Sequence, residues 1–395
     1  MKLVFFSQHF FPENFRINEI VFGLAKKFKI NVFTGRPNYH SGNIPKKYRG
    51  IHLKQQSIKG VKIFRFPIVS RGDSFLKRSI NYLSYIVSGS FYSFFIKKDK
   101  SKKKVFVYAT SPFFQVIPAI IYSRLNKAKL YFWIQDLWPE TLLDLNIIRR
   151  GFIFIILNKF INFLYSFADY ILVPSEGLKK NIRSKVKDVP VYLYHNSSNL
   201  KFRKKNKIFV KKKFIITFSG NMGEAQDFDS LIAVLNKNLI NKNIYFNFIG
   251  NGSKSTDLKK KLKTQIEKKR VNFKSYISQK KLNKILNKSD AYFITLKKGL
   301  SFDLIIPGKF STYLSFGKPI LGNCSGDLHK IIKENKIGFV SKQKNYKKLA
   351  ENINKLQRLN KYEKLNIYKN CKKLFSGVFD LHFNLVILEK YLKKN

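Results

Sequence analysis

The chain has 395 residues, 44% of them apolar, and 77 basic residues stand against 23 acidic ones. That apolar share excludes a disordered chain, and the length exceeds one ordinary core, so two domains are expected. The only cysteines, Cys324 and Cys371, are far apart, which excludes a disulfide scaffold and fits a reducing compartment.

The basic excess has two sources to weigh. One is codon bias, since Lys, Asn, Ile, Phe and Tyr are abundant and Ala is scarce. The other is attraction to an anionic partner: a lipid surface, nucleic acid or a phosphorylated substrate.

In chain order, "MKLVFFSQHFFPE" has an apolar run that breaks too early for a signal peptide and reads as a buried first strand. Apolar runs at 3–6, 30–33, 61–66, 104–108, 130–134, 170–173 and 191–194 predict strands. Helix-spaced segments lie between them; in 14–28, Ile17, Ile20, Val21, Leu24 and Phe28 share one face. Ser79–Ile96 carries no charge but falls short of the ~20 apolar residues of a membrane span. Its Ser, Tyr and Asn content predicts a buried or interfacial helix. Lys77, Arg78, Lys97 and Lys98 flank it, as an anionic lipid surface favours. Residues 151–173 carry Lys159 and Asp169 and predict a core helix running into a strand. The polar, basic, aperiodic stretch 195–213 reads as a linker, after which strands recur at 214–220, 244–250, 271–276, 291–295, 319–321 and 338–340. The expected fold class is α/β: two doubly wound, Rossmann-like parallel-sheet domains facing across a cleft, with ligands at the carboxyl ends of the strands. The expected bounds are 1–197, a linker at 198–213, 214–374, and a C-terminal helix at 375–395.

Four stretches carry candidate chemistry. In "FSGNMGEAQDF" (218–228), Gly220, Asn221 and Gly223 follow a strand and let backbone N–H groups approach an anion; a plain strand-to-helix turn has the same look. In "FIGNGS" (248–253), Gly250 and Gly252 bracket a tight turn that is neither a full dinucleotide fingerprint nor a P-loop. Pro307, Gly308 and Lys309 open a helix and place a cation beside exposed amides, an arrangement suited to a diphosphate; the other reading is a surface lysine at a turn. In "WIQDLWPE" (133–140), Gln135, Asp136, Trp138 and Glu140 combine acids that bond hydroxyls with an aromatic that stacks on a sugar; the other reading is a core Trp with a capping Asp. The six histidines are scattered, so no metal site is expected.

With "FFPENFRINEI" (10–20), "VFTGRPNYHSG" (32–42) and "IPGKFSTYLSFGKPIL" (306–321), these stretches stand in an order that resembles family-4 glycosyltransferases of the GT-B fold. The resemblance is greatest to the L-fucosamine-transferase-like branch of bacterial surface-polysaccharide synthesis. It implies a retaining, metal-independent glycosyltransferase with no cofactor beyond its nucleotide-sugar substrate. The implied donor is a UDP-N-acetylamino sugar, held by the C-terminal domain through Gly220, Asn221, Gly223, Gln226, Gly250, Gly252, Pro307, Gly308, Lys309 and Thr312. The implied acceptor is a polyprenyl-diphosphate-linked saccharide, held by the N-terminal domain around Glu13, Asn14, Arg16, Gln135, Trp138 and Glu140. Asp136, Lys309 and Glu13 are the implied catalytic groups, and the last helix is implied to cross back to the N-terminal domain. The implied location is cytoplasmic, peripheral at the inner face of an anionic membrane. The sequence departs from the wider family where two glutamates are usual: Leu304, beside Asp303, and Thr312 stand there. That departure keeps a non-catalytic sugar binder as an alternative, and a nucleotide-sugar epimerase on the same two-domain fold is another. Nucleic-acid binding ranks last, because the aromatics sit inside strand and helix patterns.

Overall fold

The computed structural model describes residues 2–39, 41–72, 74–96, 103–203 and 213–393. Most of the expected linker, 204–212, lies outside the described residues, as do His40, Lys97 and Lys98. The chain forms two compact units. The first runs to His195 and regains the residues from Asn384 onward, and the second spans Asn196–Phe383.

The first unit contains β1 (Lys2–Ser7), β2 (Lys29–Gly35), β3 (Lys54–Ile58), β4 (Val61–Phe66), β5 (Lys103–Ala109), β6 (Lys129–Ile134), β7 (Tyr170–Val173) and β8 (Val191–Leu193). They form one sheet in the order β3-β4-β2-β1-β5-β6-β7-β8. All neighbours are parallel except the β3–β4 pair. The second unit contains β9 (Phe214–Ser219), β10 (Ile244–Ile249), β11 (Val271–Lys274), β12 (Ala291–Thr295), β13 (Ile320–Asn323) and β14 (Gly338–Ser341). Its order, β11-β10-β9-β12-β13-β14, is the doubly wound Rossmann order, and every pair is parallel.

Strands covered by helices on both faces must be apolar throughout, so every apolar run named above became a strand. The exception is β3, "KQQSI", which the sequence pattern did not reveal. It is a polar edge strand returning through Lys59 and Gly60, both at positive φ (49° and 78°), as a two-residue hairpin requires. Aromatic rings fill the core of the first unit. Phe6 and Phe33 stack at 5.0 Å, and Phe33 and Phe66 at 6.0 Å.

Two helices of the first unit depart from the ordinary pattern. The helix Phe75–Phe95 is capped by Ser74 and buries Asn81, Tyr85, Gly89 and Ser93. Gly89 packs so closely on Pro118 that a Cβ would lie 2.9 Å from its ring. Its opposite face carries Leu76, Ile80, Leu83, Val87, Phe91 and Phe94, all exposed and spaced three or four apart. The helix Phe152–Ser166, expected in the core, is corrected: only Ile161, Leu164 and Tyr165 are buried, and Phe152 is 77% exposed. The last helix, Leu381–Lys393, lays its later residues on the first unit. Leu385 covers Gly23, Glu389 pairs with Lys27 at 2.9 Å, and Tyr391 stacks on Tyr192 at 4.9 Å.

Candidate functional site

Each sheet reverses its winding beside its first strand, and open parallel sheets bind ligands at the carboxyl ends of the strands there. In the second unit the reversal falls between β9 and β12. The end of β9 runs into Gly220, at φ 126°, and the end of β10 into Gly250, at φ 130°. The Gly220 N–H donates to the Ile249 carbonyl, Met222 N–H to Asn251 and Lys254 N–H to Met222, each at 2.9 Å, which knits the two loops together. A Cβ on Gly250 would sit 2.2 Å from the Gly220 carbonyl oxygen, and one on Gly252 would sit 2.3 Å from that of Met222. Gly250→Ala therefore forces strained backbone into an occupied space. We expect a loss of about 2–4 kcal/mol in chemical denaturation, with nucleotide binding lost in the same variant.

Against this floor lies Lys309. Its Nζ is 3.8 Å from the centre of the Phe218 ring, and a Cβ on Gly220 would meet that Nζ at 2.9 Å. The ammonium forms no hydrogen bond or ion pair with any described residue, and its one partner is the face of a phenyl ring. Burial pushes its pKa down to about 7. The residue as a whole is half-buried, and its Nζ lies against Phe218 and Gly220. The helix it opens, Lys309–Leu314, is only six residues long. The helix-start field expected there is correspondingly small, and the lysine's own charge is the main electrostatic feature. Pro307 and Gly308 shape the entry: Phe310 N–H donates to Pro307, and the Ser311 hydroxyl to Gly308, each at 2.9 Å. Thr312 is half-buried, one turn after Lys309 and on the same side of the helix.

Two residues that sequence reasoning missed position this lysine. The Tyr313 hydroxyl accepts from the Ser219 N–H at 2.7 Å and meets the Ser219 hydroxyl at 3.0 Å, which ties the short helix to the end of β9. Tyr313 is marked only by its buried hydroxyl oxygen, which no sequence pattern displays. Tyr313→Phe leaves a buried N–H without its partner. We expect a loss of about 1–3 kcal/mol in denaturant unfolding and weaker nucleotide binding.

Asn221 and Gln226 serve the loop itself. The Asn221 side chain is wedged between Gly223 and Gly252, and the Gln226 side-chain Oε1 accepts from Gly223 N–H at 2.8 Å. That corrects the expectation that the Gly223 amide faces outward for an anion. Asp303, beside the position of a usual glutamate, accepts from the Ser325 hydroxyl at 2.6 Å.

In the first unit the reversal falls between β1 and β5. Glu13 follows β1, and its Oε1 accepts from the backbone N–H groups of Asn38, at 2.9 Å, and Tyr39. Its Oε2 is buried without a hydrogen-bond partner, 3.6 Å from His9 Nδ1. Gln8 donates to Asn81 at 3.0 Å, and Asn81 donates to Asn38 at 3.3 Å, extending this network across strand ends. Asn14 is exposed, and Arg16 pairs with Glu19 at 3.3 Å.

Asp136 follows β6. Its Oδ2 accepts from Ser111 N–H at 3.0 Å and from the Ser111 hydroxyl at 2.9 Å. Burial pushes its pKa up, and the two Ser111 bonds oppose that. Tyr39 joins the two acids electrostatically: burial raises its pKa, Arg71 lowers it, and Tyr82, Asp136 and Glu13 raise it further. Gln135 Nε2 is buried without a hydrogen-bond partner among the described residues.

Two expected acceptor contacts are corrected. Trp138 is 8% exposed, donates from Nε1 to the Ser111 hydroxyl at 2.8 Å and packs on Phe114, so its ring is not free to stack on a sugar. Glu140 is buried and pairs with Lys185. Both shape the loop that holds Asp136. Among the described residues no group of three or more His, Cys, Asp or Glu side chains comes together to hold a metal.

Residues 199–373 match the family described as Glycosyl transferases group 1. This broader assignment replaces the family-4, L-fucosamine-transferase-like branch expected from the motif order. A probable glycosyltransferase, WbjE of Pseudomonas aeruginosa, is 24% identical over 220 residues, covering 52% of this chain and 54% of the relative. The chain thus aligns with about half the length of that curated relative. The fold matches HepE of Anabaena, solved in complex with UDP, with TM-score 0.69, 14% identity and 100% coverage of both chains. It also matches sucrose-phosphate synthase of Thermosynechococcus elongatus, with TM-score 0.74, 12% identity and coverage of 99% and 98%. WaaG, a glycosyltransferase involved in lipopolysaccharide biosynthesis, matches with TM-score 0.67, 10% identity and full coverage of both chains. The shared architecture is the GT-B fold of two Rossmann-like domains.

Proposed function

We propose that this chain is a retaining, metal-independent glycosyltransferase that takes a sugar from a nucleoside-diphosphate donor. The observation that carries the reading is the desolvated Lys309 ammonium, set against Gly220 at the second unit's winding reversal with no anionic partner among the described residues. A buried cation without a counter-ion is costly, and a bound diphosphate supplies the counter-ion.

In the transfer step the bond from the anomeric carbon to the β-phosphate oxygen breaks. The acceptor oxygen bonds to that carbon on the same face, and its proton passes to the departing phosphate oxygen. Negative charge grows on the diphosphate, so Lys309 stabilises the transition state more than the ground state. Asp136, held by Ser111, orients the acceptor or stabilises the developing positive centre, and Glu13 lies in the same half-site. The UDP complex of HepE supports a UDP-linked donor. The donor sugar is proposed to be an N-acetylamino sugar. The acceptor is proposed to be a polyprenyl-diphosphate-linked saccharide in O-antigen or capsule synthesis, met at the inner face of the cytoplasmic membrane. WaaG, described as a glycosyltransferase involved in lipopolysaccharide biosynthesis, supports a surface-polysaccharide setting.

The test mixes purified protein with UDP- and GDP-sugars and lipid-linked acceptors and follows nucleotide release. The expected result is acceptor-dependent UDP release. Turnover of the sugar nucleotide without acceptor would favour an epimerase, and binding without turnover a sugar-binding relative. The second of these draws on Leu304 and Thr312 standing where carboxylates are usual.

A further inference from the structure

Two helices of the first unit turn apolar stripes outward. On the helix Phe75–Phe95 the stripe runs from Leu76 to Phe94 at helical spacing, opposite the face packed on Pro118. On the helix Phe152–Ser166 the exposed set includes Phe152, Ile156, Phe160 and Phe163. Ordinary surface helices show the reverse pattern, and monomers rarely expose contiguous apolar patches of this kind. The two helices share one support. Ser93 of the first helix donates to Pro118 at 3.0 Å, while Phe160 and Tyr165 of the second pack on Phe114 and Phe113 at 5.8 and 4.7 Å. Both helices therefore lean on one segment, 113–118.

Charge selects the occupant. Residues 74–96 and 145–168 contain no acidic side chain. Lys77, Arg78, Arg149, Arg150 and Lys159 are all exposed on or beside the stripes. A second copy of a chain carrying +54 would bring like charges together, whereas an anionic bilayer offers both an apolar interior and opposite charge. Among the described residues no helix is long and apolar enough to cross a membrane, so the contact is one of shallow insertion.

We infer that the helices Phe75–Phe95 and Phe152–Ser166 form a two-helix surface that inserts side by side into the headgroup region of an anionic bilayer. This deepens the proposed function by naming the face that meets the membrane. The contribution of the second helix is new, because its composition had placed it in the core.

The experiment is flotation of the purified full chain with phosphatidylcholine vesicles, with and without phosphatidylglycerol, at low and high salt. The pairs Val87→Glu with Phe91→Glu, and Phe152→Glu with Ile156→Glu, are compared with the parent chain. Each pair should lower partitioning onto anionic vesicles by about tenfold or more, and salt should weaken the parent's binding. All four positions are exposed, so thermal melting and UDP-induced stabilisation should stay unchanged. Parent-like partitioning by either pair overturns the two-helix surface, as does equal binding to neutral vesicles. A discrete dimer dissolved by the same substitutions also overturns it, since the occupant is then a second copy. Loss of vesicle binding with UDP stabilisation intact in the parent chain refutes only the docking surface. Failure of UDP to stabilise a chain that floats refutes only the nucleotide-sugar reading.

Discussion

Lys309→Met will make the ligand-free protein more stable while removing most of its activity. The parent lysine has an ordinary pKa of 10.5, pushed down to about 7 by burial. Between those values the unfolded chain holds a proton that the folded chain lacks, so stability rises with pH across that window. Below pH 7 the full penalty of the buried cation is present. Methionine fills similar space without charge, so at neutral pH the variant should gain stability on the order of 1–3 kcal/mol, and its pH dependence between 7 and 10.5 should flatten. Turnover should fall about 10²–10³-fold, the range for losing one preorganised donor to a developing anion. Binding of a diphosphate restores the proton, so UDP should bind more tightly as pH falls through 7, with proton uptake measurable by calorimetry in buffers of different ionisation enthalpy. Both effects should vanish in the variant. An unchanged melting temperature with undiminished UDP stabilisation would show that the ammonium does not meet the phosphates.

Asp136→Asn is expected to be the second large effect. Burial pushes this carboxyl above its ordinary 3.8, against the two Ser111 bonds. Above 3.8 the unfolded chain releases a proton that the folded chain keeps, so stability falls as pH rises through that window, and the penalty is complete above the raised pKa. Asparagine removes the penalty, so the variant should be as stable as the parent or more so at neutral pH. Its turnover should drop about 10²-fold or more if the carboxylate faces developing positive charge. Ser111→Ala supplies the control for positioning. Losing both the hydroxyl bond and the anchor of Trp138 should raise the Asp136 pKa further and move the acid limb of the kcat profile to higher pH. An acid limb that stays in place in Ser111→Ala, with full activity in Asp136→Asn, would leave the acid as a loop brace.

The strands were legible because a parallel strand between two helix layers has no polar face to disguise it. β3 was not, because an edge strand facing water needs no apolar run, and its only signal was the Lys59-Gly60 turn. The helix Phe152–Ser166 was misplaced for a related reason: an apolar stripe turned outward and one that faces the core have the same composition. Trp138 was read as a sugar platform from its neighbours in sequence, yet its ring is enclosed by Phe114 and tied to Ser111.

The sequence by itself determined the element alternation, the glycine turns and the position of the lysine, because each depends on local periodicity or on backbone freedom within a few residues. Only the tertiary structure decided what surrounds those residues. The desolvation of the Lys309 ammonium depends on Phe218 and Gly220, some ninety positions earlier in the chain. The environment of Asp136 likewise depends on its burial and on Ser111, which the order of the strands brings beside it. Solvation and electrostatic potential are sums over neighbours in space, and strand order, which no short stretch encodes, sets who those neighbours are.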